Sequence, residues 1–154
     1  MSRLSEQFLL VLTTLWIGAM WSIGYIVAPT LFSMLGDRML AGNVAGRLFA
    51  IVGWIGIGAS VYVLGFLLMR QGWRAFRSWI FWLVVVMLLT TLASQFGIQP
   101  LMAQMKADAW PREVMDTVMR GRFATWHGIS SVLYLVQSAL GLLLILGTRK
   151  LLGR

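Results

Sequence analysis

The 154-residue chain has no cysteine, one histidine, three prolines and five acidic residues. Without cysteine there is no disulfide, no thiolate metal ligand and no sulfur nucleophile. A single histidine, His127, excludes a bis-histidine haem within one chain and leaves a tetrahedral zinc site short of donors. The acids Glu6, Asp37, Asp108, Glu113 and Asp116 all fall outside the apolar runs, and none has a carboxylate partner at catalytic spacing on a shared span. No phosphate loop, GxSxG elbow or HExxH helix occurs. A Ser-His-acid triad built on Ser130 or Ser131 would require Asp108 or Asp116 to fold back onto His127. The expectation is a non-enzymatic protein. Charge of either sign is scarce as well, at 12% of residues, about half of what a soluble domain carries.

Apolar residues take that place. The mean hydropathy is +0.81, and four runs, at about 8–32, 48–69, 79–102 and 126–147, each reach the roughly 20 residues that a helix needs to cross the hydrocarbon of a bilayer. Backbone surrounded by lipid must satisfy its own hydrogen bonds, so these runs are expected to be helices. The fold class read from this is all-α: a single transmembrane domain over 1–154, built as a four-helix bundle. The first run is too long for the apolar core of a signal peptide and is expected to be retained. Ala28 precedes Pro29, which predicts a kink or stop there. Gly42 and Gly46 have small-xxx-small spacing, and span two carries Gly53, Gly56, Gly58 and Gly65, a pattern suited to close helix packing. Between spans three and four, residues 111–125 read as an amphipathic helix lying in the interface. Pro111 suits a first helical position, and Val114, Met115, Val118, Met119 and Phe123 share one face.

The formal charge of +8 would suggest nucleic acid in a soluble protein. Here Lys and Arg gather at span ends, so the expected partner is the lipid bilayer, not nucleic acid. Arg70, Arg74 and Arg77 beside Trp73 and Trp79 form a basic, aromatic interfacial anchor. Their density, with Arg149, Lys150 and Arg154, predicts a multi-pass protein of the bacterial inner membrane with both termini cytoplasmic.

Polar residues inside the apolar runs are costly in lipid and usually face a bundle interior. Thr91, Gln95 and Gln99 repeat every four residues on span three. His127, Ser130, Tyr134, then Gln137 or Ser138, and Gly141 form a stripe on span four, and Thr14, Gly18, Trp21, Ser22 and Tyr25 one on span one. Facing stripes predict a ligand pocket from Trp21, Tyr25, Gln95, Gln99, His127, Ser130 and Tyr134. Interhelical bonding alone would also account for such residues. Met102, Met105, Met115 and Met119 map to the His127 side, and thioethers are soft ligands for Cu(I). Copper held by His127 and these methionines is therefore one expectation, and haem with His127 and a methionine as axial ligands is another. The third is a structural subunit that forms a homo-oligomer or joins a membrane partner protein through the Gly42/Gly46 surface and the 111–125 helix.

Trp16-x-Gly18, Tyr25-x-Val27-Ala28-Pro29-x-Leu31-Phe32, Ala41-Gly42, Ala45-Gly46-x-Leu48-Phe49, Arg122-Phe123 and His127-Gly128-x-Ser130 occur in that order along nearly the whole chain. In this the chain resembles a bacterial domain family of unknown function related to transmembrane protein 205, within a wider grouping that includes the membrane domain of copper-resistance protein D. The resemblance implies a four-helix inner-membrane bundle with the His127 segment as a hallmark, and raises the copper and haem readings. It supplies no activity.

Overall fold

A computed structural model of the protein describes residues 3–108 and 117–152. Among these, regular structure is entirely helical: α1 (Arg3–Ser22), α2 (Ala28–Met34), α3 (Arg38–Gln71), α4 (Trp79–Ala93), α5 (Gln99–Asp108) and α6 (Thr117–Leu152). Four stretches are long and apolar enough to cross a membrane: Arg3–Met34, Met39–Arg77, Trp79–Met105 and Ala124–Thr148. They pack in chain order around a ring, with α1 against α3, α3 against α4, α4 against α6 and α6 against α1. The interior holds Leu9, Trp16, Met20, Val63, Leu67, Val84, Met87 and Leu144, all buried. Leu15, Ile51, Val61, Leu89 and Leu135 lie on the outer surface, as expected for side chains in lipid.

Pro29 neither stops nor ends the first span. A π-helical turn, Ile23–Val27, precedes it, and the Ala28 amide bonds to the Ile23 carbonyl. Proline lacks an amide donor and its ring collides with the carbonyl four residues back. Widening the preceding turn relieves that collision, and Ala28 keeps helical angles. Span three repeats the device. Ser94–Ile98 is π-helical, and Gln99 bonds to the Ser94 carbonyl ahead of Pro100.

Asp37 caps α3, its Oδ1 accepting from the Met39 amide at 2.7 Å and the Leu40 amide at 3.1 Å. Asp37→Ala should lower stability by about 1 kcal/mol through loss of this cap, measured as a reduced unfolding temperature in detergent. α3 thus begins ten residues before the apolar run at 48, and where α2 packs on it the buried small residues are Ala41 and Ala45, with Gly42 and Gly46 only half-buried. Gly72, at φ 54°, ends α3, and a 3₁₀ turn over Gly72–Arg77 leads into α4. At this end Arg70 donates to Glu6 at 2.6 Å, tying the end of span two to the start of span one.

The amphipathic segment expected at 111–125 falls only partly within the described residues. Residues 111–116 lie outside the described residues, and 117–125 are the first turns of α6, continuous with span four. No proline follows Pro111, so nothing interrupts the helical ladder there.

Candidate functional site

The polar stripes of spans one, three and four pair across the interior. Tyr134 on α6 donates its hydroxyl to the Met20 carbonyl, where α1 enters its π turn. Its ring fills the space beside Gly24, where any Cβ would overlap it. Trp21 Nε1 donates to the Ser138 carbonyl at 3.3 Å, closing the α1–α6 seam a second time. Tyr25 and Phe49 meet the Tyr134 ring edge-on, at centroid distances of 6.4 and 5.0 Å.

On the opposite seam Gln95, inside the second π turn, donates to the Ala50 carbonyl on α3 at 3.2 Å. Its amide packs where Gly53 has no side chain. Deeper in the bundle, Gln137 Nε2 donates to the Met87 carbonyl at 3.1 Å and to Thr91 Oγ1 at 3.0 Å. Gln137 is only 6% exposed, and among the described residues its Oε1 has no partner; neither has the fully buried Ser60 Oγ. A buried unpaired oxygen costs about 1–3 kcal/mol, and lipid around the bundle offers no relief. Glu6 and Asp37, the acids whose side chains are described, stand at span ends. The interior layer is therefore neutral and suited to hydrogen bonding.

The family profile of a domain of unknown function, DUF4149, matches residues 11–111. The chain belongs to the DUF4149 family. The matched stretch contains both π turns, both of their prolines and Gln95, and ends before α6. No curated protein and no solved structure matches this DUF4149 chain significantly.

Of the residues singled out from the sequence, Trp21, Tyr25 and Tyr134 come together on one seam, while Gln95 sits on the opposite one. Gln99 and Ser130 are half-buried, on α5 and α6. His127 lies on an exposed face of α6, and its carbonyl accepts from Ser131 at 2.8 Å. Met102 and Met105 are half-buried on α5, which packs on α6. Met115 and the side chain of Met119 lie outside the described residues. Among the described residues no three His, Cys, Asp or Glu side chains cluster as a metal site would require. Gln137 has the most demanding environment, yet spacing alone did not separate it from Ser138. Of the notches for Tyr134 and Gln95, Gly24 was not singled out from the sequence, and Gly53 was one of four span-two glycines that the sequence did not tell apart.

Proposed function

We propose that this DUF4149 protein is a non-enzymatic, multi-pass protein of the bacterial inner membrane that binds a small hydrogen-bonding ligand within the bundle. The observation carrying this reading is Gln137. Its amide nitrogen is held by Met87 and Thr91 while its oxygen, deep in the interior, is left as a free acceptor. A packing role alone would be served as well by an apolar side chain, because Thr91 Oγ1 still donates to the Met87 carbonyl at 2.8 Å and no partner of Gln137 would be stranded. A group retained at a cost to stability is a common mark of a binding site. The free atom is an acceptor, so the ligand should present a donor such as an ammonium or a hydroxyl.

Gln137→Met should leave the unfolding temperature unchanged or raise it, while abolishing stabilisation by small donors. Ammonium and methylammonium chloride, compared with sodium chloride at equal ionic strength, are suitable probes in a thermal-shift titration. Equal shifts in wild type and variant would reject the site.

A soft-metal version of the reading is favoured by α5 packing on α6, because α5 presents half-buried Met102 and Met105 and α6 carries His127. One imidazole with two thioethers is a donor set suited to Cu(I). The resemblance to the copper-resistance protein D grouping also supports it. Cu(I) titration of wild type against His127→Ala and Met102→Ala/Met105→Ala should show at least a tenfold loss of affinity in each variant, a difference of about 1.4 kcal/mol. Unchanged affinity would remove the metal from consideration and leave the interior site untouched.

A further inference from the structure

Spans one and three align in register when 71 is added to each number of span one. Pro29 falls on Pro100, and the π turn Ile23–Val27 on Ser94–Ile98. Three buried positions of each span coincide too, Leu9 with Ile80, Thr13 with Val84 and Trp16 with Met87, while buried Phe81 falls on exposed Leu10. Spans two and four align at a spacing of 81. There Val63 falls on Leu144 and Leu67 on Thr148, and all four are buried.

The contacts repeat along with the positions. Trp16 packs on Gly56 within the first pair of spans, and its counterpart Met87 meets Gln137, the counterpart of Gly56, within the second. Gly24 in the first π turn receives Tyr134 from span four, and at the matching place Gln95 in the second π turn enters Gly53 of span two. The large and small partners have changed sides while the location is kept. Little sequence is shared between the halves, so the relation shows only in burial and contact.

We infer that the bundle is a duplicated two-helix hairpin, spans one and two repeated as spans three and four, and that two equivalent clasps at the π turns close the seam between the copies as a single unit. Spans two apart cross in the same direction, so the copies are related by a pseudo-twofold axis along the bundle. Repeats of this orientation place working sites at the boundary between the halves, at interrupted helices in corresponding positions. Both clasps lie on that boundary. Each consists of a glycine notch, a π turn before proline, and one long polar side chain reaching a carbonyl across the seam: Tyr134 to Met20, Gln95 to Ala50.

The first clasp also sits where the helix is short of backbone amide donors. Ala28 bonds to Ile23, and Leu35 bonds to Leu31. The seven carbonyls of residues 24–30 are then left with the five amides of residues 30–34, since Pro29 has none, and the Thr30 and Ser33 hydroxyls supplement them from side chains, donating to the Ile26 and Thr30 carbonyls at 2.7 and 2.9 Å. Segments short of backbone hydrogen bonds are those that open first. This inference holds whatever the bundle binds.

Backbone amide hydrogen exchange on the full chain in lipid nanodiscs tests it. Tyr134→Phe removes one clasp bond and Gln95→Met the other. Each variant should raise exchange roughly two- to tenfold, the equivalent of one hydrogen bond, at both 23–30 and 94–101. The Trp16–Gly56 and Met87–Gln137 neighbourhoods should keep their protection. A rise confined to the altered clasp, or one spread evenly over all four spans, would overturn the inference. If one variant does not fold, the other carries the same reading.

Discussion

Trp16→Ala should destabilise the bundle by about 3–5 kcal/mol, the range for removing a large aromatic from a packed core. Trp16 is 2% exposed, and its indole lies against the bare backbone of Gly56 on α3. Within a bilayer, lipid tails solvate apolar groups as well as neighbouring helices do, so assembly depends on close van der Waals fit. An unfilled cavity at this contact forfeits that fit at the centre of the first hairpin. Leu15→Ala provides the contrast. Leu15 is 67% exposed on the outer surface, and its loss should fall within about 0.5 kcal/mol, as for other surface changes. Gly56→Leu alone should also destabilise, because a Cβ there would stand 2.8 Å from Trp16 Nε1. Combined with Trp16→Ala, however, it should recover part of the loss by refilling the space from span two. Equilibrium unfolding in mixed micelles measures all three. Additive losses in the double variant would show that the two residues do not share one contact.

The transmembrane architecture was legible because a bilayer imposes one strong rule, about twenty apolar residues per helix. All four runs became spans. The polar stripes were legible for a related reason: a hydroxyl or amide in an apolar helix needs a partner, so Tyr134, Gln95 and the Thr91–Gln137 pair turn inward. Which stripe meets which carbonyl was not legible, because spacing fixes a helical face but not the rotation of the neighbouring helix. His127 shows the limit from the other direction. Its rarity made it prominent in the sequence, while its side chain stands on an exposed face of α6. Pro29 was visible as an interruption, but the outcome rested on the preceding turn. Ile23–Val27 widened to i→i+5 bonding, and the span continued through the proline. The glycines of span two split in the same way. Gly53 and Gly56 receive neighbouring side chains, whereas Gly58 and Gly65 have nothing within 4 Å. A list of glycines contains no hint of that division.

That division makes the second large effect specific. Gly24→Ala should cost about 1–3 kcal/mol, the usual penalty for forcing extra volume into a packed contact, because its Cβ would overlap the Tyr134 ring. The ring cannot simply rotate away, since its hydroxyl is bonded to the Met20 carbonyl and the Phe49 ring packs against it, edge to face, at a centroid distance of 5.0 Å. Gly58→Ala and Gly65→Ala add the same methyl where space is open, and should be neutral or stabilising by up to about 1 kcal/mol through helix propensity alone. The sign of the effect therefore separates a notch from an ordinary glycine. In a Tyr134→Ala background the Gly24→Ala penalty should disappear, because the added carbon would then enter the space vacated by the ring. A double-mutant cycle read by thermal unfolding should give a coupling energy close to the full penalty. If Gly24→Ala behaves like Gly58→Ala in the wild-type background, Tyr134 does not wedge against the first π turn. The turn would then be set by Pro29 alone, and Pro29→Ala should restore regular α-helical bonding there with Tyr134 in place.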